Sequence, residues 1–500
     1  MLEKGVVIIG GGMAGLTTAA YLARAGYSVQ VYEQHTLPGG YVSSFTRKGF
    51  TFPAGPTSFG SNGIIFPILK ELCLVEKQRF VRTGHQISWD KHDIPLMSPA
   101  QTGRDLGKCF PDEKTALRRY FRWVEIGGTA FHDSLKSGMM FGRAVVKTIL
   151  RLGIKHPLFP WALWVAKGQT NRSLHDRYFK DGYLRQILNQ LGFPVMAGKN
   201  TLGMWASYYY DTWISTGGMQ SFADLIVRYI RENGGEVYLG KRISRIRVEN
   251  GQATGVEMQN GTFIPAHWVV SAADLHQTCL ELIERNQIPS TMLDKLDRAL
   301  PSESLFAVFL GLHGSLDLTA ALKRFIESHV VFTCADGKYI QLVWLSKDDS
   351  TAAPPGKQAL FIAALSPFED WQPLKDDQQA YRVQKTAYAD DLITRAEEFL
   401  PGLRAHIDVQ EAASPLTYER YTSNWHGSTS GWNWNPKDAP HFELAKDLPI
   451  KHFYPVGHYV YNPGGVPTAM ITAWYIAQIM TRQTKTMKAD DKGKTVTSMH

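Results

Sequence analysis

Val6-Val7-Ile8-Ile9-Gly10-Gly11-Gly12-Met13-Ala14-Gly15 is the stretch that decides the fold. Four β-branched apolar residues in a row, bounded by glycine, predict a strand buried on both faces, as in a parallel sheet. The glycines that follow fit G-x-G-x-x-G at Gly10, Gly12 and Gly15. Leu16, Ala19, Ala20, Leu22 and Ala23 then make the compact inner face of a helix, and Gly26 stands where a left-handed cap would end it. Val29-Gln30-Val31-Tyr32-Glu33 predicts a second strand, ending in a carboxylate. Strand, glycine turn, helix, strand and acid thus follow in order within 33 residues. Gly10 permits the tight turn, Gly12 lets the backbone approach a pyrophosphate, and Gly15 lets the helix pack on the strand. Met13 and Ala14 open the helix whose N-terminal dipole faces the phosphate charge. Glu33 stands where an acid bonds ribose hydroxyls, with Gln34 beside it. The segment predicts a Rossmann-type dinucleotide-binding unit.

Six residues beyond Glu33 comes Gly39-Gly40-Tyr41, and Gly49 to Thr57 predicts a short strand and a turn through Gly55-Pro56-Thr57. Taken alone, Gly39-Gly40 is an ordinary turn. In its context the sequence resembles the two-domain flavoproteins related to glutathione reductase and amine oxidase. That resemblance implies FAD rather than NAD. It places Gly39, Gly40 and Tyr41 against the FAD phosphates and ribitol, with Gly55, Pro56 and Thr57 as further contacts.

Two distant segments extend the resemblance over the whole chain. Thr216-Gly217-Gly218-Met219-Gln220-Ser221-Phe222 opens an amphipathic helix through Ile226, Tyr229 and Ile230. Strand-like runs follow at 236–239, 243–248, 255–258, 263–266 and 268–274. Near the end, Val456-Gly457-His458 precedes Pro463-Gly464-Gly465-Val466-Pro467-Thr468 and a helix to about Met480. This is similar to the phytoene desaturase and carotenoid isomerase branch, which carries a GGM turn, a V-V-S-x-A-D strand and a P-G-G-V-P helix start. The resemblance implies that Ile243 flanks the adenine and that Ala272 belongs to the cofactor site. It also implies that Gly457, Gly465, Val466, Pro467 and Thr468 lie at the flavin's pyrimidine end, where a helix dipole stabilises negative charge. The branch commonly has an acid after V-G. Here His458 stands instead, as a titratable group beside the cofactor or as a packing residue.

Composition bounds the rest. The chain has 500 residues and is 44% hydrophobic, enough for two to four domains. The fold class read here is α/β: a discontinuous FAD-binding domain (1–85, 215–300 and 431–484) with a parallel sheet and a β-meander, and a mixed α+β substrate domain (86–214 and 301–430). The polar, aperiodic residues 485–500 are expected to be a disordered tail. Cys73, Cys109, Cys279 and Cys334 lie far apart with no metal-ligand spacing, which suits a reducing compartment and no metal. A strand starting within six residues of Met1 leaves no room for a secretory signal, and no apolar run is long enough for a membrane span.

The net charge of +8 is not spread evenly. Between Ser134 and His175 there are seven Lys and Arg and no acid, interleaved with Ile154, Leu158, Trp161 and Trp164 among other apolar residues. Arg143, Lys147 and Arg151 fall on one helical face. Two readings stand: a helical insert that docks on anionic lipid, or a core helix with a solvated basic face. No nucleic-acid module accompanies the charge. The expected location is cytoplasmic, peripheral on the inner face of a membrane.

For activity, the resemblance implies an FAD-dependent oxidoreductase that desaturates or saturates carbon–carbon bonds of a long apolar polyene or isoprenoid lipid such as a carotenoid. A flavin-dependent isomerase of a polyene or unsaturated fatty acyl chain is the alternative. A non-catalytic flavin-binding lipid carrier is the reading from another class. One dinucleotide fingerprint points to quinone or oxygen as electron acceptor. No catalytic acid or base declares itself. Tyr208-Tyr209-Tyr210-Asp211 and Trp213 precede the GGM turn, as aromatic lining or as a structural strand.

Overall fold

Alternation along the first strand sets the layers. In the computed structural model, which describes residues 5–136, 152–314, 322–435, 437, 447–461 and 464–497, Gly5–Ile9 is the middle strand of a five-stranded parallel sheet. Ser28–Tyr32 and then Glu236–Tyr238 lie on one side; Trp268–Ser271 and Phe453–Pro455 lie on the other. Val6 and Ile8 point to the face covered by three helices, Met13–Arg24, Gln220–Glu232 and Val466–Thr497. Val7 and Ile9 point to the opposite face, covered by a three-stranded antiparallel meander (Ile243–Glu249, Gln252–Met258, Phe263–Pro265) and by Trp432 and Leu448. Both faces are therefore apolar, as a central parallel strand requires.

The last helix runs past residue 484 to Thr497, through the stretch expected to be a disordered tail. An aperiodic polar sequence gives no face to bury. A helix already packed at Met470, Ile471, Ala477 and Met480 can still propagate through it, because each added residue gains one backbone hydrogen bond without a new nucleus.

A second, seven-stranded sheet is built from two separate parts of the chain. Its order is Ile407–Ala413, Leu305–His313, Lys357–Leu365, Tyr339–Trp344, His329–Thr333, His85–Trp89 and His92–Pro95. Phe306, Val308, Leu310 and Leu312 face the long helix Gln378–Phe399. Ala307 and Phe309 face the other way, onto Phe50 and Phe52 of the strand Phe50–Pro53. Residues 99–210 contribute helices packed around Tyr120, Trp123 and Trp205. Tyr208–Tyr210 finish the helix Gly198–Tyr210 rather than forming a strand. Trp213 alone lies on a strand, Thr212–Ser215, which pairs with Phe59–Gly60 and Phe80–Arg82.

Phe52 is fully buried between its own short two-stranded sheet and the seven-stranded sheet. Phe52→Ala is expected to cost about 3–5 kcal/mol, seen as a lower denaturant midpoint. An unchanged midpoint would contradict this packing.

Candidate cofactor and redox site

The first helix begins in front of a turn that leaves its N-terminus open. Gly12 caps it with no side-chain hydrogen bond, and no acid lies in its first turn. A Cβ on Gly12 would meet no protein atom within 4 Å, whereas one on Gly15 would lie 2.0 Å from the Gly10 carbonyl oxygen. The two glycines thus do different work: Gly15 seats the helix on the strand, and Gly12 keeps space clear before the helix N-terminus. Amides facing such a space suit a phosphate group.

Other segments converge on that space. Gly39 adopts φ +115°, and its N–H donates to the Gly11 carbonyl at 2.7 Å. A Cβ on Gly40 would be 3.3 Å from Gly12 Cα, and one on Gly10 would be 3.3 Å from the Ala272 carbonyl. A Cβ on Gly55 would clash with the Tyr41 carbonyl oxygen at 2.6 Å, so Gly55 and Tyr41 pack as one unit. The Tyr41 hydroxyl donates to the carbonyls of Gly427 and Ser428. Gly457 faces Ala14, and its N–H donates to Thr472 Oγ1 at 3.0 Å.

Glu33 is buried at the end of the second strand. Its Oε2 accepts from the Gly11 N–H at 2.6 Å and its Oε1 from the His35 N–H at 2.7 Å. Burial pushes this carboxyl above its usual range, and the same amides oppose the shift. Lys241 N–H donates to the Glu33 carbonyl at 2.8 Å, which brings the start of the Ile243 strand beside the acid. Ile243 itself packs in the meander core with Val7 and Ile9, and the Gln34 amide donates to Ser423 Oγ at 2.9 Å.

At the far end, Gly465, at φ +120°, precedes Val466, the first residue of the last helix, and Pro467 sits in its first turn, where a missing N–H costs nothing. Gly431 and Gly464 pack against His458. Burial alone pushes the His458 imidazole down to about 4, so it is neutral at neutral pH. A neutral ring beside this helix start leaves the dipole as the local positive element, which suits a group that gains negative charge.

Several residues at the site carried no signal in the sequence. Asp349 Oδ2 accepts from the N–H groups of Gly217 and Gly218 and so holds the GGM turn. The Gln220 amide donates to Pro38 just before Gly39. His329 Nε2 lies 3.1 Å from Oγ1 of Thr57, a residue the sequence did mark, and both line a cavity with Asp348, Asp349, Met219 and Trp344. Tyr208 reaches this region indirectly, its ring 4.6 Å from His85, which stands 5.0 Å from His329. These residues come from separate parts of the chain and share no local pattern.

The open space before Gly12, the uncapped helix and the glycines at Gly39 and Gly40 fit a dinucleotide. Gly10 to Gly15 and Gly39 to Tyr41 would hold its phosphates, Glu33 the ribose, and Gly457 to Thr468 the flavin end. Gly12→Ala is expected to fold with an unchanged melting midpoint, since its backbone (φ −72°, ψ 175°) accepts any residue, yet to lose most bound flavin. Gly15→Ala should instead lower the midpoint. A Gly12→Ala protein that keeps full flavin content would contradict the assignment.

Comparison with known proteins agrees with this geometry. Residues 13–481 match the family described as flavin containing amine oxidoreductase. The chain is 25% identical over 518 aligned positions to 4,4'-diaponeurosporene oxygenase of Staphylococcus aureus strain MW2, covering 97% of this chain and 100% of that one. A putrescine oxidase variant superposes with a TM-score of 0.64 at 13% identity, covering 96% of this chain and 99% of that one. An oxidoreductase from Methanosarcina mazei does so with a TM-score of 0.61 at 17% identity, covering 95% and 99%. At those identities the two structures speak for the fold alone. The match to the family runs over almost the whole chain, and on it we conclude that this protein belongs to the flavin-containing amine oxidoreductases and is an FAD-dependent oxidoreductase.

Proposed function

We propose that the protein oxidises carbon–carbon bonds of a long apolar polyene of the carotenoid type, introducing a double bond. The observation that carries this is the end-to-end similarity to 4,4'-diaponeurosporene oxygenase, a relative whose substrate is carotenoid-related. FAD, when bound, supplies the acceptor for a hydride equivalent from an allylic carbon. The chain supplies the rest: the glycine cradle would orient the cofactor, the last helix would present its N-terminus to the flavin end, and the reacting segment of the polyene is assigned to the cavity lined by Thr57, Met219 and Trp344. Quinone or oxygen is the electron acceptor in this reading.

An apolar substrate has to be delivered without crossing water, and one surface favours a membrane route. Around the helix Phe159–Ala166, Ile154 is 83% and Trp164 67% exposed, with Leu158 and Trp161 also turned outward. Ala162, Val165 and Ala166 form the buried face of the same helix. Lys167 flanks the patch, and Lys155 beside it is paired with Asp133 at 2.6 Å. Arg143, Lys147 and Arg151 lie outside the described residues. Among the described residues no helix is long and apolar enough to cross a membrane. We propose that this patch docks peripherally on an anionic lipid surface at the inner face of the membrane, its indoles at headgroup depth.

Two experiments test these readings. Anaerobic incubation of the flavin-loaded protein with a polyene in liposomes should bleach the flavin and remove two hydrogens from the polyene by mass spectrometry. Equal mass with altered chromatographic retention would favour isomerisation, and no change in any polyene would refute the assignment. Replacing Trp161 and Trp164 by Ser should weaken flotation with anionic liposomes at least about tenfold, the scale of burying one such side chain. Unchanged flotation would remove the docking surface.

A further inference from the structure

Five side chains at the cavity form one hydrogen-bonded chain. Asp348 Oδ2 stands 2.5 Å from the hydroxyl oxygens of Thr83 and Ser328, which are hydrogen-bonded to each other at 2.5 Å. Both hydroxyl oxygens stand 3.0 Å from His329 Nδ1. Across the ring, His329 Nε2 meets Thr57 Oγ1 at 3.1 Å. Thr83, Ser328 and His329 are buried, and Thr57, His329 and Asp348 reach the cavity wall. The members come from four separate segments: the turn after Phe50–Pro53, the residue after Phe80–Arg82, the start of His329–Thr333, and the end of Leu345–Asp348.

Counting protons fixes the direction of this chain. A hydroxyl has one proton to give and lone pairs to receive with. Thr83 and Ser328 also meet each other at 2.5 Å; of their two protons one bridges the pair and the other goes to the carboxylate, so what they present to Nδ1 is lone pairs. Nδ1 must therefore carry the N–H. In a neutral imidazole the other nitrogen is then bare, and it faces the Thr57 hydroxyl and the cavity. Burial pushes the His329 ring down to about 4, with the Asp348 carboxylate opposing, so the neutral form prevails at neutral pH. The neighbouring His85 ring is held well below its usual range, by burial first and by His329 second, and adds no charge. Asp349, the other carboxylate of the cavity, is turned to the Gly217 and Gly218 amides.

We propose that His329 Nε2 is the proton acceptor of the oxidation, reached through the Thr57 hydroxyl, and that Thr83, Ser328 and Asp348 are positioning residues that fix its tautomer. This rests on the carbon–carbon oxidation proposed above. FAD, when bound, would supply the acceptor for a hydride with both electrons of one substrate C–H bond, which would leave that carbon electron-deficient. The C–H bond on the neighbouring carbon is then strongly acidic. Its electron pair becomes the second bond of the new C=C. Its proton moves to the Thr57 oxygen while Thr57 passes its own proton to Nε2. The imidazolium so formed keeps its Nδ1–H on hydroxyls anchored to Asp348, which sets a carboxylate one hydroxyl away from the new positive charge. A base weakened by burial suffices because the acid is a carbocation, and the same burial lets it release the proton after turnover.

The test uses the FAD-loaded protein with 15N-labelled histidine, the His329 signals being identified by their loss in His329→Gln. At pH 7 the expected spectrum has Nδ1 protonated and Nε2 bare, and a Thr83→Val, Ser328→Ala double variant should lose that single-tautomer pattern. A wild-type Nε2–H tautomer would overturn the proposal whatever the substrate is. In the second arm, anaerobic flavin bleaching by a polyene in liposomes should slow at least about 100-fold in His329→Gln, the scale of losing a general base, at unchanged flavin content and melting midpoint. Imidazole added to His329→Ala should restore part of the rate. Equal rates in wild type and His329→Gln would overturn the base and leave the proposed function standing. A wild type that no polyene bleaches, yet shows the bare Nε2, would instead overturn the proposed function and uphold the tautomer on which the base depends.

Discussion

Everything in this molecule hangs on one contact with no room for a side chain: the first helix sits on the end of the first strand at Gly15, where a Cβ would be 2.0 Å from the Gly10 carbonyl oxygen. That approach sets the helix N-terminus directly beyond the strand and brings Ala14 beside Gly457 and Gly15 against Ala272. The strand is central in its sheet and buried on both faces, so its position is held by Val6 and Ile8 on one side and Val7 and Ile9 on the other. A backbone position fixed so firmly can carry a pre-formed anion site, because the open amides have no freedom to collapse onto other partners.

The second sheet closes over the strand Phe50–Pro53 and walls the cavity at Thr57. Its inner face, Ala307 and Phe309, closes on Phe50 and Phe52, one turn before Thr57. Its strand His329–Thr333 lies between Tyr339–Trp344 and His85–Trp89 and delivers His329 to the Thr57 hydroxyl. Polar groups inside such packing are costly unless paired. At this edge they are paired into a single line ending at Asp348. The buried rings of His85 and His329 are neutral because burial penalises their charged forms.

How much of this could be read from the residues depended on distance along the chain. The first strand, its glycine turn, the first helix and Glu33 form a local pattern in which each element predicts the next, and all fall where expected. The GGM and P-G-G-V-P segments were legible because glycine and proline restrict backbone in ways that survive without context. Tyr208 to Tyr210 were not: a run of three tyrosines has strand propensity, yet helical packing around Trp205 decides the outcome. Nor could the chain order show that Asp349 would hold Gly217 or that Ser328 and Thr83 would share one carboxylate, since these contacts exist only after two distant strands pair. The basic run from Ser134 to His175 was legible as charge, but its partner Asp133 lies just outside the acid-free window and neutralises part of it.

A structure of the flavin-loaded protein with a bound polyene would decide whether the cofactor cradle, the cavity and the His329 base act together. The polyene is expected in the cavity lined by Thr57, Met219 and His329, with the C–H bond that would lose its proton directed at the Thr57 hydroxyl. A polyene bound elsewhere, with His329 and Thr57 screened from it by protein, would contradict that arrangement.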